Sequence, residues 1–82
     1  MTDQKDRANA IRLLKALVAR GANSKEPIAS AWITYVALEI GLAGDELHSA
    51  VAYAGTQNWF EDSHMPGRTS LTPAGEGAGE SS

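Results

Sequence analysis

The chain has 82 residues, no cysteine and a formal net charge of −3 at neutral pH. This length allows one small domain, and the lack of cysteine excludes disulfide bonds and thiolate-held zinc. No apolar stretch approaches the roughly 18 residues of a membrane span, and the first residues are polar, unlike a secretory signal. We therefore expect a cytoplasmic, bacterial-type protein that does not associate with membranes.

The charge is unevenly distributed along the chain. Residues 1–27 carry a net charge of +3, whereas residues 28–82 carry −6 and contain a single basic residue, Arg68. Such asymmetry occurs in proteins with a nucleic-acid face and in proteins with a charge-matched protein contact. It is also typical of two ordinary solvated surfaces, so three explanations stay open.

Residues 3–20 are predicted to form the first helix, because their apolar side chains recur with helical spacing. This stripe consists of Ala10, Ile11, Leu13, Leu14, Leu17 and Val18. Gly21 follows and favours the left-handed conformation that ends a helix. The opposite face is expected to point to solvent and carries Lys5, Arg12 and Lys15.

The segment after the first helix allows two interpretations. The preferred one is a helix over residues 27–40 that could break near Ile33, because a proline such as Pro27 suits the first helical turn. In the other, residues 30–33 are extended and Thr34 caps a shorter helix.

A third helix is predicted over residues 45–57, after a glycine-containing turn. Asn58 is expected to end this helix in the left-handed conformation. Residues 59–62 and 68–72 read as two short strands, joined by a tip that contains Pro66-Gly67. The segment 76–82 is rich in Gly, Ser and Glu with nothing large to bury, which predicts a disordered tail.

The predicted core takes the large apolar residues from all of these segments. It contains Ile11, Leu14, Val18, Ile33, Val36, Leu38 or Ile40, Leu47, Val51, Phe60 or Trp59, and Leu71. Trp59 and Phe60 are neighbours in a predicted strand, so only one of them is expected to face the core.

The sequence gives no indication of an enzyme, a cofactor or a metal site. His48 lies three residues after Asp45 on the third helix, a spacing that is common on protein surfaces. No His or Cys spacing matches a zinc ligand set, and the glycines near the end follow no strand, as a phosphate-binding loop requires. We therefore expect neither catalysis, nor a bound cofactor, nor a metal ion.

The order of these signals resembles a winged helix-turn-helix domain. The resemblance rests on three segments, Val36–Leu42 followed by Asp45-Glu46-Leu47, Asn58–Glu61, and Leu71–Gly75. It implies an α+β fold over residues 1–75, with three helices and a two-stranded β-hairpin wing, followed by the disordered tail 76–82.

The resemblance implies a small transcription-regulator-like domain that binds duplex DNA through its third helix and wing. The contact residues would then be Ser49, Tyr53, Thr56 and Arg68. The third helix contains no Lys or Arg, and its first turn carries two acids that would oppose a polyanion. The alternative is a protein-interaction module, in which Asp45, Glu46 and Trp32 contact a basic protein or a second copy of the chain.

Overall fold

Four helices and three short strands make up the part of the chain described by the computed structural model, residues 2–63 and 65–80. In chain order they are α1 (Thr2–Ala19), β1 (Ile28–Ala29), α2 (Ser30–Glu39), α3 (Gly44–Thr56), β2 (Phe60–Asp62), β3 (Arg68–Leu71) and α4 (Pro73–Glu80). The strands form one antiparallel sheet in the order β1-β3-β2. The predicted α+β class is confirmed. The prediction of three helices and a two-stranded wing is wrong.

The first three helices end in the same way. The residues Gly21, Gly41 and Asn58 follow the helices with positive φ values of 96°, 79° and 60°. The next backbone amide in each case donates to a carbonyl five positions earlier: Ala22 to Leu17, Leu42 to Ala37, and Trp59 to Ala54. This pattern is the Schellman motif, which satisfies the last carbonyls of a helix and turns the chain sharply. The left-handed conformations predicted for Gly21 and Asn58 are therefore confirmed.

The segment before α2 differs from both sequence interpretations. Ile28 and Ala29 are extended and pair with Thr69 and Arg68 of β3. The helix begins only at Ser30, so the predicted start at Pro27 is wrong, as is an extended segment over residues 30–33. The reason is a hydrogen-bonding partner far along the chain, since the backbone of residues 28–29 is satisfied by β3.

The α3 helix and the hairpin follow the sequence prediction closely. The helix starts and ends one residue earlier than predicted, and β2 pairs with β3 in a register that places Phe60 opposite Leu71. At the tip, Gly67 has a φ of 73°, and the Arg68 amide donates to the Met65 carbonyl. The predicted hairpin is confirmed, although His64 at its tip lies outside the described residues.

The predicted disorder from residue 76 onward is wrong, because residues 73–80 form α4. Thr72 caps this helix by accepting a hydrogen bond from the Gly75 amide, and Pro73 occupies the first helical position. The Glu76 carboxylate accepts a hydrogen bond from the Ser24 amide at 2.8 Å. Only residues 81–82 of the predicted tail lie outside the description.

Two glycines allow α4 to approach its neighbours at backbone distance. A Cβ atom built on Gly75 would lie 2.1 Å from the carbonyl oxygen of Trp59. One built on Gly79 would lie 2.9 Å from the carbonyl oxygen of Leu14 in α1. The helix therefore packs through its backbone, which is why a segment without large apolar side chains is nevertheless ordered.

The core forms around α1. Its fully buried large side chains are Leu13, Leu14, Leu17, Val36, Leu42 and Leu71. Burial is confirmed for the predicted Leu14, Ile33, Val36 and Leu71, while Ile11, Val18, Ile40 and Leu47 are partly buried against the core. None of the helices within residues 2–63 and 65–80 has the length and apolarity to cross a bilayer.

Leu38, predicted as an alternative to Ile40, is 57% exposed, and Ile40 packs against the core in its place. Two predictions about the core are wrong. Val51 is 36% exposed, because the side of α3 that carries it is not fully covered. Trp59 and Phe60 are both buried. Trp59 precedes β2 and belongs to the turn after α3, so the alternation of a strand does not apply to it.

Two glycine substitutions in α4 should have opposite effects on stability. Gly75→Ala should lower the free energy of unfolding by about 1–3 kcal/mol, because the new methyl group overlaps the Trp59 carbonyl. Gly77→Ala should raise it by about 0.5–1 kcal/mol, because a Cβ at this position meets no neighbouring atom and alanine favours the helix. Urea unfolding followed by circular dichroism measures both, and equal effects of the two substitutions would contradict the packing of α4.

Candidate interaction surfaces

The outer face of α3 is the surface that the sequence assigns to DNA. Asp45, Ala52 and Thr56 are exposed on it and Ser49 is half-buried. A shallow hollow brings Ser49, Tyr53 and Thr56 together with His48 and Ala52, next to Asp6 of α1. Three of the four predicted DNA-contacting residues are thus neighbours, and the helix that carries them has no cation.

Arg68, the fourth predicted contact, lies apart from this hollow. It is exposed on β3, opposite Ala29 of β1, at the end of the sheet from which α2 begins. The amide of Ser30, the first residue of α2, donates to the carbonyl of Gly67 at 2.9 Å. Arg68 is therefore associated with the start of α2 rather than with the outer face of α3.

Tyr53 is held in place by neighbouring side chains. Its hydroxyl accepts a hydrogen bond from Arg7 Nη1 at 3.3 Å, and its ring meets the Trp59 ring edge-on with centroids 5.9 Å apart. The Arg7 guanidinium also lies 5.6 Å from the centroid of the Trp59 ring, within the range of a cation–π contact. This cluster ties the start of α1 to the end of α3, which gives Tyr53 a structural role.

The basic residues of α1 are largely engaged within the chain. Lys5 Nζ lies 3.1 Å from Glu46 Oε2, and Arg20 forms an ion pair with Glu39. Arg12 Nη2 donates to the Ile40 carbonyl at 2.6 Å, at the negative end of the α2 dipole. Together with Arg7, four of the seven basic residues thus have partners on other elements.

Three basic residues remain without such partners. No ion pair or side-chain hydrogen bond of Lys15, Lys25 or Arg68 occurs within residues 2–63 and 65–80. They lie on α1, in the loop before β1 and on β3 respectively. The predicted solvent exposure of Lys5, Arg12 and Lys15 is confirmed for all three, although Lys5 and Arg12 also contact neighbouring elements.

The residues proposed for a protein contact are in different environments. Trp32 is half-buried and packs against the core beside the loop between α1 and β1. Glu46 is exposed but paired with Lys5, and Asp45 is exposed beside it. The two acids are neighbours on α3, whereas Trp32 is on α2 beside the loop that precedes β1. The three residues therefore do not form one surface.

A small hollow between α1 and α3 contains the one buried polar side chain in the described part of the chain, Asn9. Its Oδ1 accepts a hydrogen bond from Arg12 Nη1 at 3.3 Å, while its Nδ2 has no partner there. Asp6, Asp45 and Glu46 also line the hollow. Nowhere in residues 2–63 and 65–80 do three His, Cys, Asp or Glu side chains converge on a point that could hold a metal ion.

An apolar depression lies between α2, α3 and the sheet, and we call it the α2–α3 groove. It has a volume of about 280 Å³ and is lined by Ser30, Ile33, Thr34, Gly44, Leu47, His48, Val51, Phe60 and Thr69. The sequence analysis missed it, since it placed Leu47 and Val51 inside the core. Helical spacing correctly predicts which side of α3 faces the other elements. It does not predict that this side stays open at Val51, because that depends on the tertiary arrangement.

Within the described part of the chain, the groove is lined by no Lys or Arg, His48 is the one titratable residue of its lining, and an acid lies beside it. Asp45, which follows Gly44 of the lining, belongs instead to the hollow between α1 and α3. Asp62 lies two residues from Phe60 and opposite Thr69, so it is on the face of the sheet that closes the groove. Asp62 is exposed, so the groove has an apolar floor with an acidic rim at this residue.

Comparison of the chain with protein-family models, with curated proteins and with solved structures finds no match.

The contact between Arg12 and the end of α2 can be tested by substitution. Arg12→Gln should lower the free energy of unfolding by about 1 kcal/mol, because it removes a charged donor from the last carbonyls of α2. Lys15→Gln removes the same charge from an exposed position of the same helix and should change stability by less than about 0.5 kcal/mol. Thermal unfolding of both variants at low salt checks the difference, and equal losses would mean that only net charge matters.

Proposed function

We propose that this chain is a winged-helix-type protein-interaction module that binds a basic amphipathic segment of a partner protein in the α2–α3 groove. The observation that carries the proposal is an apolar groove with the exposed Asp62 at its rim, in a chain in which four of the seven basic residues bind partners on other elements.

The order of elements supports the winged-helix part of the proposal. From α1 to β3 the chain runs helix, strand, helix, helix, strand, strand, with the short first strand added to the hairpin. This is the succession that the resemblance implies, with one more strand than the sequence predicts. The α4 helix comes after this unit and packs back on α1. Function has to be argued from surfaces, since a fold of this kind serves several functions.

The lining of the groove determines which partner fits. Ile33, Leu47, Val51 and Phe60 offer an apolar floor for one or two aliphatic or aromatic side chains. Ser30, Thr34 and Thr69 add hydroxyl groups at its edge. A helix that places apolar residues into the groove and a lysine near Asp62 would match both the shape and the charge.

Binding to duplex DNA is the second candidate function. It is favoured by the exposed Thr56 and half-buried Ser49 on the outer face of α3, and by the unpaired Arg68 near the hairpin. Tyr53 would have to leave Arg7 and Trp59 to reach a base. Phosphate contacts supply much of protein–DNA affinity, but Arg68 lies apart from this surface, and Arg7 and Lys5 beside it are engaged with Tyr53 and Glu46. The geometry therefore supports the groove better than the outer face of α3.

An amide-shift titration with two synthetic peptides tests the groove. An amphipathic helix of leucine and lysine should shift the amides of Thr34, Leu47, Val51 and Thr69, since its apolar side fills the groove and its lysines meet the rim. A peptide of the same pattern with glutamate in place of lysine should bind at least tenfold more weakly, a difference of about 1.4 kcal/mol. Equal binding of both peptides would contradict the acidic rim.

Two matched variants locate the contact. Val51→Lys introduces a charge within the groove, whereas Ala52→Lys introduces the same charge on the exposed outer face of α3. Only Val51→Lys should abolish the shifts caused by the leucine–lysine peptide. The proposal fails if the two variants bind this peptide equally well.

Duplex DNA of mixed sequence serves as the competing ligand. It should cause no amide shifts in residues 45–57, either at about 50 mM salt or at about 200 mM. Salt-sensitive shifts in that range that are lost in Arg68→Ala would favour the DNA function instead.

A further inference from the structure

Asn9 is buried but carries a hydrogen-bond donor that the described part of the chain leaves unpaired. Its side chain lines the hollow between α1 and α3 and is 6% exposed. Its Oδ1 accepts a hydrogen bond from Arg12 Nη1, whereas its Nδ2 has no partner within residues 2–63 and 65–80. A buried amide donor without an acceptor loses its hydration and gains nothing in return. The position of Asn9 therefore indicates an acceptor that comes from outside the chain.

The hollow also brings unpaired carboxylates close to this donor. It has a volume of about 170 Å³ and is lined by Lys5, Asp6, Asn9, Asp45, Glu46 and Ser49. Lys5 is paired with Glu46, but neither Asp6 nor Asp45 has an ion pair or a side-chain hydrogen bond in the described part of the chain. Asp45 suits the first turn of α3 through the helix dipole, yet this local role does not account for Asn9. Two unpaired carboxylates and one unpaired donor thus share a small space.

The direction of the Asn9 amide places Nδ2 on the side of these acids. Oδ1 points toward Arg12, which does not line the hollow. The oxygen and the nitrogen of one amide group point in different directions, so Nδ2 is directed away from Arg12 and into the hollow. The Lys5–Glu46 ion pair bridges α1 and α3 at the same place, and both side chains are exposed. A surface pair of this kind opens at little cost, so a ligand can displace it to reach Nδ2.

These groups restrict the chemistry of a ligand that fills the hollow. The Asn9 Nδ2 atom donates and does not accept, so it requires an oxygen acceptor. The carboxylates of Asp6 and Asp45 require a cation or hydrogen-bond donors, and they repel an anion. A metal ion is unsuited, because Nδ2 would direct its hydrogens at the ion and the described residues offer no group of three metal ligands. A primary ammonium group with a neutral carbonyl oxygen beside it meets all of these requirements.

We propose that the hollow binds the amino terminus of a peptide. Its ammonium group would lie between Asp6 and Asp45, and its first carbonyl oxygen would accept a hydrogen bond from Asn9 Nδ2. A free amino acid fits less well, because its carboxylate would face the two acids. The site shares no residue with the lining of the α2–α3 groove, so the inference goes beyond the proposed function and does not depend on it.

An amide-shift titration with alaninamide tests the site, because the side-chain NH₂ of Asn9 gives its own signals. Alaninamide should move these signals and the backbone amides of Asp45 and Ser49, with a roughly millimolar dissociation constant. N-acetylalaninamide lacks the ammonium group and propylamine lacks the carbonyl, so each should bind about fivefold more weakly or worse. Asn9 side-chain signals that do not move would mean that a trapped water satisfies Nδ2, and would overturn the proposal. Tighter binding of 2-aminoethanol than of alaninamide would overturn the assignment to a peptide amino terminus.

Matched variants locate the ammonium group. Asp45→Asn removes a carboxylate from the hollow and should weaken alaninamide binding by about fivefold, whereas Asp62→Asn makes the same change on β2 and should have no effect. Both positions are exposed, so both variants should keep the fold, which the backbone amide spectrum establishes. Asn9→Leu should bind alaninamide no better than propylamine. If Asn9→Leu does not fold, the pair of aspartate variants still decides, and equal binding by that pair would overturn the proposal.

The lysine that pairs with Glu46 gives a test of opposite sign. Lys5→Gln removes a competing cation from the hollow and should strengthen alaninamide binding by about fivefold. Lys15→Gln removes the same charge from an exposed position of α1 that does not line the hollow, and should leave the affinity unchanged. Weaker binding by Lys5→Gln than by Lys15→Gln would contradict an ammonium group in the hollow.

Discussion

The burial of three leucines of α1 is the interaction on which the rest of the structure depends. Leu13, Leu14 and Leu17 have no exposed surface, although the chain has few large apolar residues to place around them. Small residues on the neighbouring helices compensate for the lack of large ones by allowing close packing. Ala54 of α3 is fully buried, and the backbone of α4 at Gly79 lies against the backbone of α1 at Leu14. Close approach of backbones supplies the dispersion contacts that larger side chains would otherwise provide.

This packing also determines how the charges of the chain are used. Because α1 is in contact with the other helices, its basic side chains reach their carboxylates and carbonyl ends, as Arg20 reaches Glu39 and Arg12 reaches Ile40. Such exposed pairs contribute little to stability individually. Their larger effect is on ligand binding, because an ion pair or hydrogen bond within the chain has to break before the cation can contact a ligand. Two of the six basic residues in 1–27, Lys5 and Arg20, thus pair at the surface with acids of residues 28–82.

Local signals predicted the parts of the fold that local hydrogen bonds determine. Gly21 and Asn58 end helices as expected, and the hairpin forms around Pro66-Gly67, because each depends on the conformational preference of one or two residues. The pairing of residues 28–29 with β3 depends on partners that only the folded chain brings together. Similarly, α4 is ordered by the fit of Gly75 against the Trp59 carbonyl, which composition alone does not reveal. The groove at Val51 was hidden for a related reason, since periodicity indicates which side of a helix faces inward but not whether a neighbour covers it.

The α2 and α3 helices differ in the residues that their exposed sides carry. The outer face of α3 has the position that the winged-helix resemblance assigns to DNA, but it carries small polar residues, acids and no cation. The α2 helix is apolar on both sides, with one side in the core and the other exposed at Tyr35 and Leu38. Exposing apolar area to water is unfavourable by about 25 cal/mol per Å², so this second side gains free energy only when it is covered. The same helix borders the groove through Ile33 and Thr34. The proposed recognition therefore rests on the groove beside α2 rather than on the helix that the resemblance would select.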